Sequence, residues 1–188
     1  MVILACGVAL WSAAHFLPSA APEARAKAIA MAGRRPYRGA FSAVVALSLA
    51  LMVWGYRSAD FTPVYQPPIW GVHVNNLLML FAVYLVGVGG MKGRLATKLR
   101  HPMLTGVLVW SAAHLLANGD QASILLFGGM GLWAAGMMWM INRRDGAWTP
   151  PEAGGLGAEI KLIFITVAIY SVIVFTHGWL LGVNPFPV

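Results

Sequence analysis

The sequence predicts an all-α fold: a polytopic integral membrane bundle of about six transmembrane helices, forming one domain over residues 1–188. Three observations predict it. Hydrophobic residues make up 59% of the chain and charged ones 10%, whereas a soluble domain carries charge on about a quarter of its residues. A soluble fold of this length has too little interior to hide so much apolar surface. The apolar residues also fall into six stretches, each near the roughly 20 residues of helix that cross a bilayer. Finally, the cations gather in alternate connections between those stretches, which is how a multi-pass protein fixes its orientation.

The first stretch covers residues 2–18. It ends in small residues like a removable leader, but basic residues follow it and none precedes it, the wrong polarity for a secretory signal. The second covers 40–56, entered after Pro36 and closed by Arg57. The third runs from Trp70 to about Gly90, and the fourth opens at Pro102, a residue suited to a first helical turn. Asn118, Gly119 and Asp120 end the fourth in a turn. The fifth spans Ala122 to Ile141 and the last Ile160 to Leu181. Bilayers admit only helices or closed barrels, and these runs lack the alternation of barrel strands, so they are helices.

Between the first two spans, Glu23, Arg25, Lys27, Arg34, Arg35 and Arg38 stand among alanines. This stretch should form a helix lying in the anionic headgroup region. Lys92, Arg94, Lys98 and Arg100 fill the third connection, and Arg143, Arg144 and Lys161 flank the fifth, while residues 58–69 and 118–121 hold no Lys or Arg. The positive-inside rule then makes the odd-numbered connections cytoplasmic and places both termini on the periplasmic side of a bacterial inner (plasma) membrane. The net charge of +7 is thus a topology signal, and nucleic acid is not an expected partner; the lipid bilayer is. Trp54, Tyr56, Trp70, Trp148 and Trp179 fall near the expected interfaces as an aromatic belt. Cys6, the single cysteine, permits no internal disulfide and reads as a small membrane-facing filler.

Residues 7–17 and 106–116 carry nearly the same phrase: both have Gly-Val, then Trp-Ser-Ala-Ala-His, then Leu, at matching positions. The copies lie in the first and fourth spans, so their helices would run in opposite directions through the membrane. That is the pattern of an inverted repeat of three plus three helices, whose sites form between the halves. In each copy Gly, Trp and His recur at four-residue intervals and share one stripe of the helix. Gly7 and Gly106 would admit a flat group or another backbone, Trp11 and Trp110 would offer ring faces, and His15 and His114 would point at the same object. An imidazole inside a bilayer needs a partner, and two of them from facing helices suit the iron of a b-type haem. Depth strains the pairing: His114 lies roughly 18 Å from the cytoplasmic end of its helix and His15 only some 6 to 9 Å from its own. His73 and His177 fall near the opposite face and are alternative partners for His114.

Further segments carry a resemblance. Arg100-His101-Pro102-Met103-Leu104, then Ala113-His114 through Asn118-Gly119-Asp120, then Leu125-Leu126-Phe127-Gly128 are similar to the NnrU family, related to plant 15-cis-zeta-carotene isomerase, and the likeness covers essentially the whole chain. The resemblance implies a membrane-embedded haem b, with His15 and His114 as axial metal ligands. It also implies a link to denitrification and nitric oxide metabolism, or haem-dependent isomerisation of an apolar small molecule. The isomerase carries a Cys three residues before its second His, thought to exchange with a ligand; Ser111 stands there in this chain, which puts that exchange and zeta-carotene isomerisation in doubt. Arg100 could pair with a haem propionate.

Arg100-His101-Pro102 also resembles part of the cofactor site of isoprenylcysteine and phospholipid methyltransferases. The acidic and aromatic motifs those enzymes add are replaced here by an apolar helix and Asn184-Pro-Phe-Pro-Val188. The expected function is therefore a haem-binding membrane protein. An S-adenosylmethionine-dependent methyltransferase and a non-enzymatic assembly or regulatory partner of a respiratory complex are the alternatives, and a homo-oligomer is compatible with each.

Overall fold

The computed structural model describes residues 1–186; Pro187 and Val188, the end of the tail, lie outside the described residues. Helices dominate, and the described residues hold no strand beyond a single bridge between Pro63 and Asp120. The helices are α1 (Val2–Ala20), α2 (Pro22–Ala32), α3 (Arg34–Arg57), α4 (Gly71–Val88), α5 (Pro102–Ala117), α6 (Gln121–Asp145) and α7 (Leu156–Leu181). A short 3-10 turn, Arg94–Thr97, lies between α4 and α5. Five of these helices, α1, α3, α4, α6 and α7, are long and apolar enough to cross a membrane, and α5 is a shorter apolar helix of 16 residues. The six expected spans are thus five long helices and one short one, and α2 is the expected Ala-rich connecting helix, with no buried residue.

Two helix starts differ from expectation for local reasons, and α6 runs four residues past Ile141 to Asp145. α3 begins at Arg34, before Pro36, because a proline in the first helical turn removes no N–H that the helix would have used. α7 begins at Leu156, four residues before Ile160, directly after an extended Gly155.

The chain forms two compact units, Met1–Thr62 and Pro63–Val188. In the first, α1 and α3 lie side by side over a small core of Leu4, Val8 and Met52. Their approach is set by Gly7, where a Cβ would stand 2.8 Å from the Met52 backbone nitrogen and 3.0 Å from the Ser48 carbonyl oxygen. Cys6 is exposed on the same helix, the position expected of a membrane-facing filler.

In the second unit, α5 is flanked by α4 and α6. At Gly106 a Cβ would lie 2.9 Å from the Ala82 carbonyl oxygen of α4, and at Gly131 of α6 it would lie 3.2 Å from the Ser111 Cβ. Leu85, Ala113 and Ala134 are fully buried in this assembly. α7 packs on α4 through a cluster of Val88, Ala96 and Leu162. Much of the outer face of α7 is apolar and exposed, including Phe164, Phe175 and Trp179, as a lipid-facing helix should be. Trp54 and Trp70 are exposed at helix ends, consistent with the aromatic belt.

Candidate functional site: twin Trp-His turns

The two copies of the repeated phrase fold alike. On α1 the His15 Nδ1 makes a hydrogen bond of 2.8 Å with the Trp11 carbonyl, and on α5 the His114 Nδ1 makes one of 2.9 Å with the Trp110 carbonyl. A carbonyl only accepts, so Nδ1 carries the proton in both rings and the lone pair lies on Nε2. That is the tautomer of a metal-ligating histidine whose other nitrogen is steadied by a backbone carbonyl. The i, i+4 spacing also brings the rings together: Trp11 and His15 stack with centroids 4.4 Å apart, and Trp110 and His114 meet at a tilt of 51° with centroids 5.2 Å apart. Each tryptophan therefore leans on its own histidine.

Of the two uses expected for the glycines, close approach of another backbone is the one seen. Gly7 meets α3 and Gly106 meets α4 at the distances given above, and those neighbours occupy the space that a missing Cβ leaves.

His15 belongs to the first unit, where Phe41 meets its ring edge-on at 5.4 Å. His114 belongs to the second and is more tightly held. Phe127 stacks on it at 4.4 Å and 25°, and also meets Trp110 edge-on at 4.9 Å. Phe127 comes from a π turn, Ile124–Gly128, within α6. Such a turn inserts a residue into the helix and is common at functional sites. Phe127 is itself buried, so the His114 ring has an aromatic wall on one side and its own helix on the other.

The segment after His114 is a helix stop built from three devices. The Asn118 side chain and backbone N–H both donate to the His114 carbonyl, at 2.9 Å and 2.8 Å. Tyr65, from the connection before α4, donates its hydroxyl to the Leu115 and Asn118 carbonyls. In return the Gly119 carbonyl accepts the backbone N–H groups of Val64 and Tyr65 at 2.8 Å and 3.0 Å. Asp120 then caps α6, accepting the Ser123 N–H at 3.0 Å and the Ser123 hydroxyl at 2.6 Å. The carbonyls left over at the end of α5 are thereby satisfied inside the protein. Asn118 and Asp120 are helix-ending residues, as their types suggested. Burial, and then the negative charge of Asp120, push the Tyr65 phenol above its ordinary pKa.

Ser111, one turn before His114, is buried with its hydroxyl unpartnered, and so is the Oδ1 of Asn75 on α4. His73 is exposed at the start of α4. His177, near the end of α7, donates its Nδ1–H to the Val183 carbonyl at 2.7 Å. At the other end of α5, Arg100 donates to the Gly146 carbonyl at 2.6 Å, and His101 meets Asn142 at 2.8 Å. Pro102 and His114 are separated by about 18 Å of helix. The Arg-His-Pro triplet thus ties the start of α5 to the end of α6. No group of three or more His, Cys, Asp or Glu side chains capable of holding a metal occurs among the described residues, so any metal here would depend on a ligand pair or on a preformed cofactor.

Sequence reasoning missed the roles of Phe127 and Tyr65. Phe127 was in view only as part of a family-like block, and nothing in an apolar stretch announces a π turn. A family model described as NnrU protein matches residues 3–185. No curated protein and no solved structure matches the chain.

Proposed function

The chain belongs to the NnrU family, and from that premise we propose that it is a haem b-binding protein of the bacterial inner membrane, with His15 and His114 as axial ligands. Haem, when bound, would supply redox or Lewis-acid chemistry for denitrification-linked nitrogen-oxide metabolism or for isomerisation of an apolar substrate. The observation that carries the reading is the shared tautomer: in both copies Nδ1 donates to the carbonyl four residues back, which puts the lone pair of each ring on Nε2. Such a bond from Nδ1–H to a carbonyl raises imidazole basicity and fixes the ring about its own axis. Phe127 and Trp110 restrict rotation of the His114 ring further, so its lone pair is aimed before any ligand arrives. Trp11 performs the same office for His15. Gly7 and Gly106 are assigned to helix packing and Arg100 to the loop that follows α6, which leaves the two Trp-His pairs as the proposed cofactor contacts.

One observation favours a second ligand choice. His177 lies in the same unit as His114, and the bond of its Nδ1 to the Val183 carbonyl likewise puts the lone pair on Nε2. The same purified protein tests both. Expressed in haem-replete cells and extracted in mild detergent, it should show the visible bands of a six-coordinate b-type haem. His114→Ala should abolish them. His15→Ala should convert the spectrum to five-coordinate if His15 is the partner, and His177→Ala should do so if His177 is. A colourless, haem-free protein refutes the haem reading. Methyl transfer from labelled S-adenosylmethionine would then favour a methyltransferase, and haem-free co-purification with an oxidase or reductase an assembly partner.

A further inference from the structure

A cleft of about 230 Å³ lies between α4 and α7, lined by apolar side chains with Thr166 the one polar member. On α4 and the turn after it the cleft is bordered by Val83, Gly87 and Met91, and on α7 it runs from Leu162 past Ile169 to Ile173. The α7 stretch is about 16 Å long at about 1.5 Å per residue, close to the depth of one hydrocarbon leaflet. Cations stand at one end only. Lys92 follows Met91 in sequence and Lys161 precedes Leu162, and both are exposed. The two lie close in the fold as well, because a Cβ on Gly93 would meet the Leu162 side chain at 2.6 Å and the Gly154 N–H donates to the Lys92 carbonyl at 2.7 Å. The nearby carboxylate of Glu159 is engaged elsewhere: it accepts the Tyr84 hydroxyl at 2.5 Å and the Arg94 backbone N–H at 2.8 Å.

Lys92 has a backbone feature that topology does not explain. It is the single non-glycine with positive φ among the described residues, at 55°, a conformation that costs a side-chain-bearing residue energy and that glycine adopts freely. Gly89, Gly90 and Gly93 surround it, yet the left-handed position itself is given to a lysine. The positive-inside rule asks for cations somewhere in this connection; it does not ask for one at the strained position on the rim of an apolar cleft. Strain of this kind persists where the side chain has work to do.

We propose that the cleft between α4 and α7 binds one anionic phospholipid, its acyl chain along Gly87, Leu162 and Ile169 and its phosphate between Lys92 and Lys161. Apolar length and basic rim together match that ligand, whereas a neutral lipid would use the cleft and leave the rim idle.

The test uses the full chain in detergent, titrated with phosphatidylglycerol, with phosphatidylcholine of the same acyl chains, and with inorganic phosphate, and read by native mass spectrometry and thermal stabilisation. Phosphatidylglycerol should bind about twenty-five-fold more tightly than phosphatidylcholine, from two cations at about five-fold each, and phosphate alone should not stabilise. Lys92→Gly with Lys161→Gln should bring phosphatidylglycerol down to the phosphatidylcholine level. Lys92→Gly by itself should not lower stability in the lipid-free state, since glycine relieves the strained φ, so loss of binding there cannot be blamed on unfolding. Ile169→Trp, which fills the cleft, should weaken both lipids. Lys98→Gln removes the same charge from the same connection away from the cleft and should leave the preference intact. Equal binding of the two lipids by the wild type, an unchanged preference in the double variant, or a loss in Lys98→Gln as large as in Lys161→Gln would overturn the proposal.

Discussion

Gly7→Ala makes a demanding test of how α1 and α3 are held together. The added Cβ would stand 2.8 Å from the Met52 backbone nitrogen, 2.9 Å from the Met52 Cγ and 3.0 Å from the Ser48 carbonyl oxygen, all short of the 3.4 Å at which ordinary contact begins. The Met52 side chain can swing away, but the two backbone atoms belong to a hydrogen-bonded helix and move only if α3 moves. Opening the pair by about half an ångström forfeits contacts along the whole seam, and overpacking of this kind costs about 1–3 kcal/mol. Alanine's higher helix propensity returns up to about 1 kcal/mol, for a net loss of up to about 2 kcal/mol. Gly39, on α3 of the same unit, has nothing within 4 Å of its would-be Cβ, so Gly39→Ala receives the propensity gain with no clash and should stabilise by up to about 1 kcal/mol. Reversible unfolding in mixed micelles, followed by far-UV circular dichroism on haem-free protein, should therefore move in opposite directions for the two substitutions. Working without haem separates a helix contact from a cofactor contact at Gly7. Equal effects from the two alanines, or a Gly7→Ala variant more stable than the wild type, would refute the packing argument.

Tyr65→Phe removes the donor that closes the end of α5 and should cost about 0.5–1.5 kcal/mol, measured in the same assay at neutral pH. Because the Tyr65 phenol is raised above its ordinary value in the folded protein, the stability it lends is complete below about pH 10 and is lost as pH rises through the folded value. The wild type should thus converge on Tyr65→Phe in strong alkali. Asp120→Ala deletes both hydrogen bonds to Ser123 and should cost about 1–2 kcal/mol, with Asp120→Asn retaining much of the cap; hydrogen exchange at Ser123 and Ile124 reports the loosening directly. Cys6, exposed on an apolar helix, should react in membranes with an apolar maleimide and resist a charged one, and rapid labelling by both would place α1 outside the hydrocarbon.

The sequence made some of this architecture legible because membranes leave few choices. Length and apolarity locate every long helix, and Pro102 and Asn118-Gly119-Asp120 bracket α5 to within a residue of its limits. The Trp-His contact was also readable, since residues four apart on a helix must meet. What escaped is whatever depends on register inside uniformly apolar segments. The stretch Ile124-Leu125-Leu126-Phe127-Gly128 has no polar residue to mark which side faces inward, so neither its π turn nor the placing of Phe127 over His114 can be deduced from periodicity. Tyr65 escaped for another reason: its partners lie some fifty residues away, and a lone tyrosine in a loop carries no local sign of a long-range contact. Gly7 and Gly106 were readable as close approaches, while the identity of what approaches needed the neighbouring helices.

The π turn gives α6 one residue more than an α-helix of equal rise requires. Deleting any one of Ile124 to Gly128 would therefore leave an intact, fully hydrogen-bonded helix with the Asp120-Ser123 cap still in register with Met130 and Trp133, and only the side chains of the former turn, Phe127 among them, would change places. The wall beside His114 would come apart without a single disfavoured substitution. In lineages descended from this chain, the quickest route to a different occupant beside that histidine is a change of length and not of side chain.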